Sequence, residues 1–270
     1  MIVVCAVHIL KAQSLRYSIA LPYTCISAYS SSQQDPFSFT ANQASLANVK
    51  QSGAGVYGER RFMLAAVSSY SAVATIPSNR GNFGIQINYA GYKDFNENKL
   101  GLAYGKSLGK LIDLGIQFDY YSCRIPSYIN ASAISFETGI LLHFSDRFQG
   151  GVQVYNPVGG KLGKTGDEKL ASVYSFGLGY DASDDFFASV NIIKEEGRAI
   201  NITGGFQYRF EGRFFIRAGI MSESSTGFAG AGIGWGNMRL DICGSYHPQL
   251  GFSPGILLTT NFGHNKAAIK

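Results

Sequence analysis

The sequence predicts an all-β fold, namely a transmembrane antiparallel β-barrel of about 14 strands with a short N-terminal plug or hatch segment. Three observations carry this prediction. Apolar and polar residues alternate along most of the chain, and short polar turns interrupt the alternation at regular intervals. The composition is also unusual for a water-soluble domain, because 33 of the 270 residues are glycine, 13% are aromatic and only 15% are charged.

The composition and the charge exclude several classes of protein. A chain with 46% hydrophobic residues has ample apolar surface to bury, which excludes intrinsic disorder. No apolar run reaches the roughly 18 residues that a spanning helix needs, so a helical membrane protein is excluded as well. The formal net charge is only +5 and the basic residues are scattered, so we expect no nucleic-acid partner. The four cysteines lack metal-binding or disulfide spacing, and we expect no metal and no cofactor.

Most of the predicted strands have one apolar and one polar face. Between Ile112 and Tyr120 every second residue is apolar, and the residues between them are polar or glycine. Such segments run for roughly ten residues, the length that a tilted strand needs to cross a bilayer, and their number is even, as a closed bacterial barrel requires. The approximate strand centres are Tyr57, Ala72, Ile87, Leu102, Ile116, Ile140, Val152, Phe176, Val190, Gly204, Ala218, Gly230, Ile242 and Ile256.

The connections between these segments indicate a membrane barrel with two different ends. Short polar turns, such as residues 78–81 and 182–185, alternate with longer connections. The two longest connections are expected from Cys123 to Ser132 and from Pro157 to Leu170. Short periplasmic turns and longer outer loops are typical of outer-membrane barrels, so we expect both termini in the periplasm of a bacterial cell.

The two ends of the chain lie outside the strand pattern. Residues 1–12 contain a short apolar core and a segment that resembles a cleavage site, which indicates a signal peptide, with a buried strand as the alternative. Residues 13–52 are expected to form a periplasmic leader and a short helical plug that enters the lumen, with an unstructured leader as the alternative. The barrel itself is expected over residues 53–263, followed by a polar tail over residues 264–270.

Charged and polar side chains on the inward face and in the plug are the candidate site residues, because a charge inside a barrel must be hydrated or paired. They line a pore, pin the plug through Asp35 and Asn42, or form ion pairs that fix the strand register. The last predicted strand ends at Phe262, a candidate barrel-insertion signal. The plug and lumen candidates are Asp35, Asn42, Gln43, Glu59, Arg60, Arg61, Asp113, Asp119, Glu137, Arg217, Arg239 and Asp241.

Catalytic residues are not expected. Only two of the four histidines, His143 and His247, are candidates for positions in the barrel, and neither has the sequence context of a catalytic triad. The glycine-rich residues 159–165 lack the glycine spacing of a phosphate-binding loop. We therefore expect a protein that is not an enzyme.

Several short motifs resemble those of a known family. Residues 42–47 (Asn-Gln-Ala-Ser-Leu-Ala), followed by Gly55-Val56-Tyr57 and Arg61-Phe62, resemble the hatch and first strand of FadL-like barrels, with Gln43 in place of the usual proline. The resemblance is strongest to the PorV/PorQ group of Bacteroidota, which is linked to type IX secretion. It covers most of the predicted mature chain at the level of pattern, including residues 251–254.

Three function classes remain open at this point. The resemblance to the PorV/PorQ group implies a non-enzymatic accessory or scaffold protein for type IX secretion or surface-protein handling. The alternative is a FadL-like channel for hydrophobic or small solutes, and a third class is a structural or adhesive barrel. The expected partners are outer-membrane lipid and, for the first class, secretion-system or surface proteins.

Overall fold

A closed antiparallel barrel accounts for most of the chain. A computed structural model of the protein describes residues 22–126, 129–159, 161–162 and 168–262. The strands are β1 (Gly53–Glu59), β2 (Ser69–Ile76), β3 (Asn82–Tyr92), β4 (Phe95–Ser107), β5 (Ile112–Ile125), β6 (Ile129–His143), β7 (Phe148–Tyr155), β8 (Lys161–Leu162), β9 (Glu168–Lys169), β10 (Val173–Asp181), β11 (Phe186–Glu195), β12 (Ile200–Phe210), β13 (Phe214–Met221), β14 (Thr226–Trp235), β15 (Met238–His247) and β16 (Gly251–Asn261).

The barrel closes by pairing its first strand with its last. In the described ranges fourteen strands form the ring, each paired with its two neighbours, and β1 pairs with both β2 and β16. The short strands β8 and β9 pair with each other in a separate hairpin. Each predicted strand centre lies within a barrel strand, so the fold prediction is confirmed.

The alternation in sequence becomes an alternation of faces. In β3, Phe83 and Ile87 point outward and are exposed, whereas Gly84, Gln86 and Asn88 point into the lumen and are buried. Because a hydrocarbon environment offers no partner to peptide groups, the closed ring is what satisfies the backbone of these strands. The outward apolar residues therefore form the lipid-facing surface.

The number of strands sets the width of the lumen. Fourteen strands spaced about 4.8 Å apart and tilted by about 40° close into a ring roughly 28 Å across at the backbone. Wall side chains fill the interior of a barrel of about eight strands, but not of one this wide. The lumen must therefore hold water or another part of the chain.

The two ends of the barrel differ in their connections, although less strictly than the sequence predicts. One end, called the short-turn end here, carries residues 77–81, 108–111, 144–147, 182–185, 211–213 and 236–237. The opposite end, called the loop end, carries the long connections 60–68 and 156–172, but also the two-residue turn 93–94.

The prediction of a long loop from Cys123 to Ser132 was wrong. β5 continues to Ile125 and β6 starts at Ile129, and these two residues are paired with each other. Pro126 lies just after β5, where a residue without an N–H group does not disturb the strand ladder. The residues on either side of Pro126 belong to two long strands. Within β5, Tyr121 and Cys123 face inward and are buried.

The N-terminal segment consists of short helical turns inside the barrel. α1 spans Pro22–Cys25, and 3₁₀ turns span Ile26–Tyr29, Ser38–Thr40 and Gln43–Asn48. Two more 3₁₀ turns, Arg61–Met63 and Ala65–Val67, lie in the connection between β1 and β2. Within the described ranges, no helix is long and apolar enough to cross a membrane. The predicted signal peptide (1–12), the start of the predicted leader and the polar tail (264–270) lie outside the described residues.

A charge at the lipid-facing centre of a strand tests this architecture. Ile87 lies midway along β3 and faces outward, so Ile87→Arg is expected to destabilise the barrel by about 2–4 kcal/mol, the cost of a basic residue at the bilayer midplane. Asp94→Arg in the exposed turn between β3 and β4 is the matched control and is expected to change stability by less than about 0.5 kcal/mol. Urea unfolding in lipid vesicles measures both. Equal effects would contradict the lipid-facing assignment.

Candidate functional site

The lumen of the barrel is occupied by residues 23–49, which are called the plug below. Its aromatic residues Tyr23, Phe37 and Phe39 are no more than 1% exposed, although none of them belongs to a strand. They pack in one apolar cluster with inward wall residues such as Leu141 and Phe187. The main hydrophobic core of the protein is therefore the contact between the plug and the wall.

Inward glycines make room for the plug at the wall. A side chain at Gly115 would overlap the backbone of Gln43, and one at Gly139 would overlap the Asn42 side chain. A Cβ at Gly105 would lie 2.6 Å from Leu46 Cβ. The inward glycines that abut the plug lie on nine of the fourteen strands, and they are Gly53, Gly55, Gly84, Gly105, Gly115, Gly139, Gly151, Gly177, Gly179, Gly205 and Gly230. The wall thus has a glycine belt shaped to the plug.

At the short-turn end, one carboxylate binds three consecutive serines of the plug. Asp181, at the end of β10, accepts hydrogen bonds from Ser30 Oγ (2.6 Å), Ser31 N (2.8 Å), Ser31 Oγ (2.9 Å) and Ser32 Oγ (2.9 Å). Hydrogen bonds to a charged acceptor are about twice as strong as those between neutral groups. Asp181 therefore fixes the middle of the plug to the barrel rim.

The C-terminal part of the plug is held at the same end. Asn82 Nδ2 donates to the Val49 carbonyl (2.9 Å), and Asn48 Nδ2 donates to Asp113 (2.9 Å). His143 Nε2 lies 2.6 Å from Asp113 Oδ2, so this carboxylate joins the plug to β6 as well as β5. The plug is thus attached just before the chain enters β1.

Asn42 organises the turn that faces β6 and β7. Its side-chain oxygen accepts a hydrogen bond from Ala44 N (3.1 Å), which caps the 3₁₀ turn Gln43–Asn48. Its side-chain nitrogen donates to the carbonyls of Ile140 (3.2 Å) and Val152 (3.3 Å). One side chain therefore shapes the plug and attaches it to two strands.

Arg217 on β13 anchors the opposite side of the plug. Its guanidinium donates to Asp35 Oδ2 (2.6 Å) and to the Tyr23 carbonyl (3.0 Å). The Tyr23 hydroxyl donates to Asp241 (2.9 Å), which also accepts from Arg239 Nε (2.7 Å). Since Arg217 and Asp241 are completely buried, removing one charge of this group would leave another uncompensated, which typically costs about 3–5 kcal/mol.

A second buried charge network lies between β4 and β7. The Lys99 ammonium binds Glu137, lies 3.5 Å from Asp119 and sits over the Tyr155 ring at 4.9 Å from its centroid. The plug reaches this network through Gln43, whose amide donates to Glu137. The candidate residues on this side of the lumen therefore meet in one cluster.

The lumen is acidic, although the chain as a whole is basic. Among the described residues, the buried charged side chains are eight acids and two bases, whereas the formal net charge of the chain is +5. All ten lie on barrel strands, and they are Glu59, Glu97, Lys99, Asp113, Asp119, Glu137, Asp181, Glu195, Arg217 and Asp241. Several of these carboxylates are bound by neutral donors of the plug rather than by cations.

Two of the predicted lumen residues lie elsewhere. Arg60 follows the end of β1 and is exposed, and Arg61 begins the 3₁₀ turn after it. The strand prediction had continued the inward face through both residues, but β1 ends at Glu59, where Arg60 N bonds to the Pro254 carbonyl. Arg61 still pairs with the buried Glu59 at 2.6 Å, so it acts from the rim of the barrel.

Several functional residues were missed by sequence reasoning. Lys99 and Glu97 are in phase with the inward Gly101 of β4, a signal that the alternation alone contains. Asp181 is likewise in phase with the inward residues of β10, so the alternation identifies it as a lumen residue. Its contact with Ser30 of the plug has no signal in the sequence, because the two residues are far apart along the chain.

One side of the loop end is covered by a part of the connection after β7. Leu170 is fully buried and packs with Ala90, Tyr121, Cys123 and Ala133 in a second apolar cluster inside the barrel mouth. The connection is fastened by Asn156 Nδ2, which donates to the Leu170 carbonyl at 2.7 Å. The β3–β6 side of the lumen is therefore covered from both ends.

No protein-family model matches the chain, and no curated protein matches its sequence. Solved structures do match its fold. A Pseudomonas aeruginosa FadL homologue has a TM-score of 0.66 at 10% identity, over 90% of this chain and 98% of that one. The chain has a FadL-like β-barrel fold. The P. putida toluene transporter TodX has a TM-score of 0.64 at 10% identity, over 89% of this chain and 98% of that one. A further match is the CymD monoaromatic hydrocarbon channel, with a TM-score of 0.62 at 10% identity, over 88% of this chain and 99% of that one.

Two of these structural neighbours are named as a channel and as a transporter. A likeness at 10% identity establishes a shared fold but does not identify a ligand for this chain. The chemistry that the described lumen does show is an acidic wall with a tightly seated plug.

A larger side chain in the glycine belt tests whether the inward glycines provide the space that the plug occupies. Gly115→Leu is expected to unseat the plug, because the new side chain would occupy the position of the Gln43 backbone. The half-buried Cys25 of the plug then reacts with a membrane-impermeant maleimide about tenfold faster, as measured by peptide mass spectrometry on the folded barrel. The control is Gly227→Leu, where nothing lies within 4 Å of the added Cβ. Unchanged labelling in Gly115→Leu would refute a wall-seated plug.

Proposed function

We propose that this chain is a gated outer-membrane channel for small hydrophobic solutes, closed by its plug in the described state. The observation that carries the proposal is the plug itself, a separate segment held by reversible polar bonds in a ring wide enough to pass a small molecule. The neighbours in fold support it, because two of them are named as a toluene transporter and a monoaromatic hydrocarbon channel. Passage requires the plug to move, because its residues Tyr23 and Phe37 are fully buried inside the lumen.

The orientation in the membrane is part of the proposal. The short-turn end, where the plug joins β1, faces the periplasm, and the loop end faces outward, as in bacterial barrels generally. Both termini then lie on the periplasmic side, within reach of soluble partners there.

A second candidate function is an accessory or scaffold barrel for type IX secretion or surface-protein handling, as in the PorV/PorQ group. The filled lumen favours it, since a scaffold needs no passage. In that case the plug is permanent and the outer loops and rim bind secretion-system or surface proteins.

A reversible lock distinguishes the two functions. Asn42 Cγ lies 3.0 Å from an ideal Cβ at Gly139, so cysteines at both positions fall within the roughly 4.5 Å between Cβ atoms that a disulfide spans. For the variant N42C/G139C, uptake of radiolabelled toluene is measured in bacterial cells with an intact lipopolysaccharide leaflet. The channel proposal predicts that oxidation lowers uptake to the level of cells without the barrel, and that reduction restores it.

The same protein in its reduced form is the matched control, because only the lock differs. Uptake that equals the barrel-free background in both redox states would contradict a channel. Recovery of secretion or surface proteins with the oxidised barrel in mild detergent would then favour the scaffold.

A further inference from the structure

Six inward side chains form a buried polar group beside the plug, called the Glu137 cluster here. Its charged members Lys99, Asp119 and Glu137 are at most 2% exposed, so they interact in surroundings that solvent does not screen. The cluster spans four adjacent strands, β4 to β7, and consists of Lys99, Gln117, Asp119, Ser135, Glu137 and Tyr155.

The donors of the cluster are directed at two carboxylates. The Lys99 ammonium binds Glu137 Oε1, and Gln117 Nε2 donates to Asp119 Oδ1 at 2.8 Å and to Glu137 Oε1 at 3.2 Å. Two neighbouring amides, Gln43 of the plug and Gln153 of β7, donate to Glu137 Oε2. Glu137 is therefore saturated, whereas only one oxygen of Asp119 is bound.

Four oxygen atoms of the cluster have no hydrogen-bond partner in the described part of the chain. They are Asp119 Oδ2, Gln117 Oε1, Ser135 Oγ and Tyr155 Oη. The side chains that carry them are neighbours on the inward face, because Ser135 lies directly opposite Asp119 and Tyr155 lies directly opposite Glu137 in the strand register. Buried polar atoms are almost always paired, so two unpaired acceptors beside two unpaired hydroxyl groups indicate something that binds them.

The charge balance points the same way. When both carboxylates are ionised, Asp119 and Glu137 carry two negative charges, against the one positive charge of Lys99. The other fully buried base of the described chain, Arg217, is bound to Asp35 on the far side of the plug. A buried carboxylate without a counter-charge is costly, so one positive charge is missing at this place.

We propose that the Glu137 cluster binds one alkali-metal cation. Asp119 Oδ2 is its charged ligand, and Gln117, Ser135 and Tyr155 supply neutral oxygen ligands. Carboxylate, amide and hydroxyl oxygens are the ligands that hard cations prefer. A monovalent ion brings the cluster to neutrality, whereas a divalent ion would leave an excess positive charge beside the Lys99 ammonium.

The site is linked to the plug through Glu137. Gln43 of the plug and Lys99 bind the same carboxylate of Glu137. A cation that relieves the repulsion between Asp119 and Glu137 therefore also stabilises the contact between the plug and the wall. By thermodynamic reciprocity, a seated plug raises the affinity for the cation. This coupling holds whether or not the barrel conducts solutes, so the inference does not rest on the proposed function.

The test is the unfolding temperature of the full chain in detergent micelles, in sodium, potassium or choline chloride at equal ionic strength. We expect sodium, potassium or both to raise it relative to choline, by on the order of 3 °C for each tenfold increase above the dissociation constant. Asp119→Asn keeps the size of the side chain and is expected to abolish the difference. Asp185→Asn, an exposed acid at the short-turn end, is expected to retain it.

Binding is also read directly from the ²³Na NMR linewidth, which broadens with the wild type and not with Asp119→Asn. Equal unfolding temperatures in all three salts would overturn the proposal. So would the same cation effect in Asp119→Asn. A stability that depends on pH near neutrality but not on the cation would assign a shared proton to the two carboxylates instead.

Discussion

Lipid hydrocarbon offers no hydrogen-bond partner to a peptide group, and most of the structure follows from that constraint. The strands can satisfy their backbone only by closing into a ring, which the pairing of β1 with β16 completes. A ring of fourteen strands has a lumen too wide for wall side chains to fill. The chain fills it with its own N-terminal segment, so the hydrophobic core that a soluble protein forms between layers is here formed between plug and wall.

The contact between plug and wall combines two kinds of interaction. The glycine belt lets the backbone of the plug approach the strands, and residues such as Phe37 and Leu46 bury apolar surface there. Carboxylates and Arg217 then fix the plug at separate points around the ring, largely through neutral donors such as Ser30, Asn48 and Gln43. Such bonds hold the plug in one position and are exchangeable for bonds to water.

Much of the fold could be predicted from the sequence, because a strand with one face in lipid imposes a period of two that is visible locally. The inward glycines have a local signal too, since glycine occupies every second position from Gly230 to Gly234. The strand ends were harder. Arg60 follows the last residue of β1 and is exposed, and the residues on either side of Pro126 belong to long strands. Contacts such as Ser30 with Asp181, or Asp35 with Arg217, depend on the path of the plug, which no local pattern encodes.

The central claim is that the plug closes the lumen of the intact barrel. Single-channel recording of the full chain in planar bilayers tests this claim most directly, because a fourteen-stranded ring without its plug is a wide aqueous pore. The structure predicts that the wild-type barrel inserts without a steady ionic current, and that a barrel lacking residues 22–49 conducts in large, stable steps. A steady current of that size from the wild-type protein would contradict the account.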